Sequence, residues 1–335
     1  MSTAQPPLTY RSILAEPMAA YVDHKRVLGR RFLNEQKVLR LLDRYLVAQR
    51  IGSLEAITPA VLEAFLASRP CRSPRSFNHR LGIVRRLFQW MVARGVVSSS
   101  PLRVSARRVT QQRTPFIFNC EQVRRLLDAA ARLPSSPRAP DRGATYRMIF
   151  ALLYGLGLRV GEVSRLCVGD LDVERRLLII RESKFRKTRL VPFGPRIDAA
   201  LAEHLREQVD RYGAPDAEQP LFSFSRNPAR AIHPNTISWT FHRLLPALAL
   251  SVPAGVAPPH LHCLRHSFAV GTLLRWYREG VDPAARLIHL STFLGHVSPS
   301  STAVYLTITG ELLQAANARF ERFVAPVLKE VRSCT

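Results

Sequence analysis

Residues 97–115 divide the chain into two parts that must fold separately. This segment, VSSSPLRVSARRVTQQRTP, shows no sustained helical or strand period, is rich in serine and carries four arginines. Patterned apolar sequence stands on both sides of it, and 335 residues are more than one ordinary core accommodates. We therefore predict two domains joined by a basic linker.

The N-terminal part is predicted to be a small helical bundle. Residues 1–12 are polar and contain proline, which favours a loose arm, and residues 13–96 carry four helical apolar stripes. Thr58-Pro59 indicates the start of the third helix. The clearest stripe belongs to the second helix and consists of Phe32, Val38, Leu39, Leu42, Tyr45 and Leu46.

Positive charge is concentrated in the same part of the chain. The whole sequence has 49 Lys and Arg against 25 Asp and Glu, a net charge of +24, and residues 1–115 alone contain 20 against six. This excess predicts a polyanionic partner, although an anionic membrane surface would attract it too, and any single arginine can simply solvate a helix. The candidate phosphate contacts are Arg80, Arg85, Arg86, Arg107 and Arg108.

Residues 116–325 are predicted to form a second, mixed domain, followed by a tail at 326–335. Asn119 and Gln122 make a capping-box pattern, and Asn235 is the expected cap of a later helix. Residues 177–181 and 189–193 are predicted to be the strands of a hairpin, and a last helix is expected over 310–323. The predicted fold class is mainly α with a small antiparallel β-sheet.

The segment Gly155-Leu156-Gly157-Leu158-Arg159-Val160-Gly161 contains closely spaced glycines but is not a dinucleotide fingerprint. Its glycine spacing is wrong, and a helix rather than a strand precedes it. We expect these glycines to end one helix and to present Arg159 at the start of the next.

Groups suited to a phosphodiester cluster near the C-terminal end, in His262-Cys263-Leu264-Arg265-His266, Leu294-Gly295-His296 and Tyr305. Arginine can hold two phosphate oxygens at once, histidine can pass protons near neutral pH, and tyrosine can act as a covalent nucleophile. The cluster therefore indicates phosphoryl chemistry.

This pattern resembles the tyrosine recombinase (phage integrase) family. Besides H-x-L-R-H, L-G-H and a tyrosine nine residues later, that family has an upstream Gly-Leu-Arg turn followed by an acid, and a lysine on a hairpin between the blocks. Both are present here, as Arg159 with Glu162 and as Lys184 in Ser183-Lys184-Phe185-Arg186-Lys187-Thr188-Arg189. The resemblance is specific over about 116–325, and the N-terminal part matches in architecture.

The resemblance implies a role for each matched residue. Arg159 and Arg265 would hold the scissile phosphate, and Tyr305 would attack it. His262 would handle the proton of a hydroxyl, His296 would bind a phosphate oxygen, and Lys184 would protonate the departing 5′ oxygen. In supporting positions, Glu162 would orient Arg159 or a nearby lysine, His266 would be a structural imidazole, and Lys187 is the alternative to Lys184 and a candidate DNA contact.

The implied architecture is a helical core-binding (SAM-like) domain and an α+β catalytic domain that form a C-shaped clamp on double-stranded DNA. The implied activity is site-specific recombination by a tetramer on two inverted-repeat sites, through a Holliday junction. Integration or excision of a mobile element, chromosome-dimer resolution and type IB topoisomerase-like relaxation share these residues. A non-catalytic DNA-binding accessory protein is the remaining alternative, and accessory recombinases or other factors are left open.

No metal or other cofactor is expected, since the arginines and Lys184 would supply the stabilising charge. The five cysteines show no C-x-x-C pair and so predict neither a zinc site nor a disulfide framework. No apolar run approaches the roughly 18 residues that a membrane span needs, and no signal peptide is expected. These observations predict a cytoplasmic, nucleoid-associated protein.

Overall fold

A computed structural model describes residues 10–30, 32–68, 73–109, 113–181, 188–226, 229–307 and 314. The chain divides into two compact units, Met1–Gln112 and Arg113–Thr335. The structure is 57% helical with small antiparallel sheets, which confirms the predicted fold class. Within the described ranges, no helix is long and apolar enough to cross a membrane.

Four helices form the first unit, each with one face in a common core. Thr58 caps the third helix by accepting a hydrogen bond from the backbone N–H of Val61, as the Thr-Pro start predicts. Ser73 caps the fourth helix in the same way. The helices are α1 (Ala15–Val27), α2 (Leu33–Ala48), α3 (Pro59–Ala67) and α4 (Pro74–Ala93).

The chain that follows α4 does not leave this unit at once. The Asn78 side chain bonds both the backbone N–H and the backbone C=O of Arg107, at 2.8 Å each, and the Arg107 guanidinium lies 3.8 Å from the centre of the Phe77 ring. The Arg85 guanidinium donates to the carbonyl of Val104. Most of the predicted linker is therefore a strap along α4, because its sparse apolar residues find a surface there.

Helices also dominate the second unit. Asn119 and Gln122 form the predicted capping box. His233, not Asn235, caps the later helix, because the His233 Nδ1 accepts the N–H of Asn235 and Pro234 opens the helix. The helices are α5 (Cys120–Ala131), α6 (Arg142–Gly155), α7 (Val160–Val163), α8 (Pro195–Tyr212), α9 (Pro234–Leu244), α10 (Cys263–Arg278), α11 (Pro283–Leu294) and α12 (Ser300–Ala303).

Two small antiparallel sheets complete this unit. The first has the order β1-β2-β3, formed by Leu171–Asp172, Leu177–Ile180 and Arg189–Pro192, and pairs Ile180 with Arg189. The second pairs β4 (Ser223–Arg226) with β5 (Ala229–Ala231). The predicted hairpin strands are present, while β1 and β5 are too short to give a sequence pattern. The predicted last helix (310–323) and most of the N-terminal arm lie outside the described residues.

Two helical glycines of the second unit should respond in opposite ways to alanine. A Cβ at Gly143 would lie 2.3 Å from the carbonyl oxygen of Ala131, where α6 crosses α5, whereas a Cβ at Gly271 in α10 would meet nothing within 4 Å. We expect Gly143→Ala to destabilise the protein by about 1 to 3 kcal/mol through steric overlap. Gly271→Ala should stabilise it by about 1 kcal/mol through helix propensity. Urea denaturation of both variants measures this, and equal shifts in one direction would contradict the crossing geometry.

Candidate active site

The C-terminal end of α11 gathers three arginines from distant parts of the chain. The last carbonyls of a helix have no partner within it and carry partial negative charge. The backbone N–H groups of Gly295 and His296 donate hydrogen bonds to the carbonyls of Thr292 and Ser291. Arginine guanidiniums donate to the next three backbone carbonyls. These bonds run from Arg189 Nε to Phe293 O (2.9 Å), from Arg265 Nη2 to Leu294 O (2.7 Å) and from Arg159 Nη2 to Gly295 O (2.9 Å).

Two glycines make this convergence possible. Gly295 has a φ of +68°, which ends α11, and an added Cβ would lie 3.0 to 3.1 Å from the Arg189 guanidinium. Gly157 has a φ of +59°, and a Cβ there would lie 2.6 Å from the Phe268 ring. The carbonyl of Gly157 accepts a hydrogen bond from Arg265. A side chain at Gly295 would displace Arg189, and one at Gly157 would displace the Phe268 and Leu294 side chains.

Arg265 is the most deeply placed of the three, with 1% of its surface exposed. Its Nη1 donates to Gly157 O at 2.6 Å and its Nη2 to Leu294 O, while its Nε finds no partner among the described residues. Burial, and then the charge of Arg159, lower the Arg265 pKa to about 10, so the group remains charged at neutral pH. A buried cation held by neutral carbonyls attracts an anion.

Glu162 is the carboxylate shared by the other two arginines, and its side chain is 2% exposed. Arg159 donates to it from Nη1 at 2.8 Å and from its backbone N–H at 2.9 Å, and Arg189 donates two bonds of 2.9 Å each. Burial would raise the Glu162 pKa, but the bonds and charges of Arg189 and Arg159 outweigh it and lower the pKa to about 2. The cluster thus contains three guanidiniums and one carboxylate, and it carries net positive charge.

Tyr305 lies beside this cluster, 4% exposed, in a short helical turn after α12. Its hydroxyl is 2.8 Å from the Nδ1 of His266, and its ring lies parallel to that of His296, with 6.4 Å between ring centres. Burial raises the Tyr305 pKa, whereas the charges of Arg265 and Arg159 lower it. An incoming phosphate would therefore lie near both the phenol and the guanidiniums.

Two imidazoles, His266 and His296, contact the tyrosine, His262 packs behind His266, and all three have lowered pKa values. The His262 ring packs edge-on against that of His266, with 4.7 Å between centres, and the Nδ1 of His296 is 2.7 Å from the hydroxyl of Thr302. Burial, followed by neighbouring histidine and arginine charges, lowers the pKa of His262 to about 3 and those of His266 and His296 to about 4. Neutral imidazoles can accept protons at neutral pH.

The structure brings together most of the predicted site: Arg159, Glu162, His262, Arg265, His266, His296 and Tyr305. His266, which was expected to be a structural imidazole, contacts the Tyr305 hydroxyl. Lys184 and Lys187 lie outside the described residues. Arg80, Arg85, Arg86, Arg107 and Arg108 belong to the other unit, where Arg86, Arg107 and Arg108 are exposed and Arg85 bonds the strap.

Sequence reasoning missed Arg189, although a signal was available. Side chains alternate along a strand, so Arg189 shares its face of β3 with the buried Val191. An arginine on a buried face needs an anionic or carbonyl partner.

Among the described residues, no group of three His, Cys, Asp or Glu side chains could hold a metal ion.

Comparison with known proteins identifies the family to which this chain belongs. The model of the phage integrase family matches residues 117–311. The chain is 32% identical to the candidate integrase/recombinase y4rB of Sinorhizobium fredii, over 94% of this chain and 98% of that protein. The chain belongs to the phage integrase family, the tyrosine-type site-specific DNA recombinases.

More distant relatives and solved structures extend the comparison. Tyrosine recombinase XerC of Chlorobaculum tepidum is 28% identical over 72% of each chain. The Tn1549 transposon integrase, solved with a circular intermediate DNA, superposes with a TM-score of 0.64 at 18% identity, over 91% of this chain and 99% of that one. A lambda integrase dimer bound to a core site gives a TM-score of 0.61 at 18% identity, over 89% of this chain and 78% of that one. These structures share the fold.

The neutral imidazoles predict acid sensitivity of the DNA-free protein. His262, His266 and His296 have ordinary pKa values of 6.5 when unfolded and of about 3 to 4 when folded, so the unfolded chain binds more protons between these values. The contribution of these histidines to the free energy of unfolding should therefore be complete above about pH 6.5. It should decrease as the pH drops toward about 4. Urea denaturation across this range measures the slope.

The matched control distinguishes these histidines from acid effects elsewhere. His262→Gln removes the largest of the three shifts and should flatten the slope, whereas His289→Gln replaces an exposed histidine of the same unit and should retain it. Stability that stays constant or rises on acidification in the parent protein would contradict the neutral, buried imidazoles.

Proposed function

We propose that this protein is a site-specific recombinase in which Tyr305 forms a covalent bond to DNA. The observation that carries the proposal is the convergence of the Tyr305 phenol, the neutral histidines and the arginines on the end of α11. A phenol with a raised pKa is a weak nucleophile, and this site supplies both a proton acceptor and a cationic environment for its anion.

The chemistry is a pair of transesterifications. The Tyr305 oxygen attacks the scissile phosphorus, the bond to the 5′ oxygen breaks, and a 3′-phosphotyrosine and a free 5′ hydroxyl result. A 5′ hydroxyl of the partner duplex then attacks the same phosphorus and releases the tyrosine. Because each step exchanges one phosphodiester for another, bond energy is conserved and neither ATP nor a metal ion is required.

The two arginines of the original motif stabilise the charge that develops on the phosphate. Arg265 is fixed by carbonyls on both sides, and Arg159 is fixed by Glu162 and Gly295. Fixed donors favour the pentavalent transition state because they need not reorganise as negative charge grows. His296, adjacent to Gly295, donates to the same phosphate oxygens.

Proton transfer at the nucleophile is assigned to His266, with His262 as the alternative that the sequence favoured. In the tautomer with an unprotonated Nδ1, His266 accepts the phenolic proton directly across 2.8 Å. His262 lies behind it, ring against ring, and can pass a proton onward. At the leaving group, Lys184 protonates the departing 5′ oxygen, with Lys187 as the competing residue.

The first unit is the core-binding domain, which holds double-stranded DNA through its basic surface. Arg80, Arg85, Arg86, Arg107 and Arg108 are its candidate contacts, and Arg85 also holds the strap. Support for an assembly on inverted repeats comes from the lambda integrase, solved as a dimer on a core site, and from XerH, solved with its difH substrate. Four protomers on two duplexes would exchange strands in two rounds through a Holliday junction.

Integration or excision of a mobile element is the role we favour. Two relatives matched over 92 to 94% of this chain are candidate integrase/recombinases, whereas several tyrosine recombinases XerC match over 70 to 79%. Chromosome-dimer resolution by the same chemistry is the alternative. Topoisomerase-like relaxation would give adducts without site preference, and an accessory DNA-binding protein would give none.

Covalent trapping tests the nucleophile and the target together. The protein is expressed in its natural host, denatured rapidly, and the DNA attached to it is sequenced at the attachment point. We expect adducts at one short inverted-repeat site for the parent protein and none for Tyr305→Phe, because the phenylalanine ring has no oxygen to attack phosphorus.

Other outcomes of the trapping experiment decide between the alternatives. Adducts scattered over the genome would favour topoisomerase-like relaxation, and adducts that persist in Tyr305→Phe would exclude Tyr305 as the nucleophile. No adduct for either protein would favour the accessory DNA-binding role. A melting temperature of Tyr305→Phe close to that of the parent protein shows that loss of adducts is not loss of fold.

The leaving-group acid can be tested with a substrate that needs no acid. A duplex with sulfur in place of the 5′-bridging oxygen releases a thiolate, which departs without a proton. Lys184→Ala should slow cleavage of the ordinary duplex by about 10²-fold or more and cleave the sulfur duplex at nearly the parent rate. Lys187→Ala should affect both substrates equally, and the reverse pattern would exchange the two roles.

A further inference from the structure

We propose that Arg189, to which the family resemblance assigns no role, is a positioning residue for the recombination reaction. It balances the charge of Glu162 and so leaves Arg159 available to the scissile phosphate. The inference rests on the proposed function of the arginine cluster, and it assigns Arg189 an action through Glu162 and α11 rather than a contact with DNA.

All three nitrogen atoms of the Arg189 guanidinium donate hydrogen bonds within the protein. The Nε donates to the Phe293 carbonyl, and Nη1 and Nη2 donate to the two oxygens of Glu162, all at 2.9 Å. The side chain is 10% exposed. This fork-to-fork pairing is the geometry in which arginine binds a carboxylate most strongly, so Arg189 is oriented inward and fixed.

Arg159 shares the same carboxylate but is held differently. A single nitrogen, Nη1, reaches Glu162 from its guanidinium, Nη2 donates to Gly295 O, and 26% of the side chain remains exposed. Arginine has five N–H donors, so this arrangement leaves donors of Arg159 available for an incoming anion. Arg189 occupies the two-point position on Glu162 that Arg159 would otherwise take.

Removing Arg189 would change the partner set of a buried carboxylate. Glu162 would keep Arg159 as its bonded arginine, and an uncompensated buried charge is costly. The resulting attraction would draw Arg159 into a two-point pair and away from Gly295 and the phosphate. Arg189 also joins β3 to the end of α11, through the hydrogen bond from its Nε to the Phe293 carbonyl.

A double-variant cycle on DNA cleavage tests this action through Glu162. The substrate is a duplex carrying the attachment point mapped by trapping, and the measurements are the single-turnover rate of adduct formation and the dissociation constant. Arg189→Gln should slow cleavage by about 30- to 100-fold, the effect of a misplaced catalytic group, with DNA affinity within about 3-fold of the parent value. Arg189→Lys should be intermediate, since it keeps the charge and loses the fork.

Recovery of the cleavage rate in a double variant distinguishes the proposed action through Glu162 from a merely structural role of Arg189. Adding Glu162→Gln to Arg189→Gln removes the unbalanced carboxylate and should restore the cleavage rate by about 10-fold relative to Arg189→Gln alone. Arg181→Gln is the matched control, because Arg181 follows the neighbouring strand and pairs with a different carboxylate, Asp170. Its cleavage rate should remain within about 2-fold of the parent.

Two cleavage results would overturn the inference: a rate for Arg189→Gln equal to that of the parent protein, or a double variant as slow as Arg189→Gln or slower. Both are read against a parent protein that forms adducts. Absence of adducts with the parent protein would instead count against the proposed function.

Acid unfolding supplies a second arm that needs no DNA. Glu162 faces Arg159, Arg189 and Arg265, and a neighbouring cavity of about 310 Å³ also places Arg165, Arg181, Asp170 and Glu218 around it. Its pKa is lowered to about 2 against an ordinary value of 4.5, so its contribution to stability is present above about pH 4.5 and is lost as the pH falls toward 2.

In Arg189→Gln, fewer hydrogen bonds counteract the effect of burial, so the Glu162 pKa should be higher than in the parent protein. The stability contribution of Glu162 should therefore be lost from a higher pH downward. In the double variant, which has no carboxyl at position 162, the shifted loss should disappear. An acid unfolding profile of Arg189→Gln that superposes on that of the parent would overturn the charge balance, whatever the DNA experiments give.

Discussion

The active site depends on how one helix ends. The final carbonyls of α11 cannot be satisfied within the helix, and the glycine that reverses the chain leaves three of them facing the protein interior. Guanidiniums from the turn before α7, from β3 and from α10 complete these hydrogen bonds. The arginines are 136, 104 and 29 residues away in sequence from the carbonyls that they bond at the end of α11. Because these carbonyls belong to consecutive residues, they set the spacing of the three guanidiniums.

The electrostatics follow from that arrangement. Clustered like charges repel one another, and the cluster is tolerated because carbonyl dipoles and one carboxylate face it. Burial suppresses charge on the adjacent histidines, so they do not add to the repulsion and remain able to accept protons. The free site is thus cationic in its guanidiniums and uncharged in its imidazoles, a combination that suits the binding of a phosphodiester.

Much of this could be predicted from the sequence, for reasons that particular residues illustrate. The motif residues stand at fixed spacings, and the hairpin and the Asn119 cap follow from local patterns. Arg189 was missed because its partner Glu162 is 27 residues away along the chain, and no local spacing links the two. The contact between His266 and Tyr305 could not be predicted, because the sequence does not show that α10 turns His266 toward Tyr305. The His233 cap competes with an equally plausible asparagine two residues on, and a side-chain contact decides between them.

The strap that follows α4 has a consequence for building chimeric proteins from this chain. Sequence pattern places the end of the first unit at residue 96, yet Asn78 bonds the backbone of Arg107, and Arg107 covers the Phe77 ring. A graft that exchanged this unit at residue 96 would strip a polar side chain of both its partners and expose an aromatic face. A junction placed after residue 109 keeps the module intact, so the transferable piece is longer than its helices.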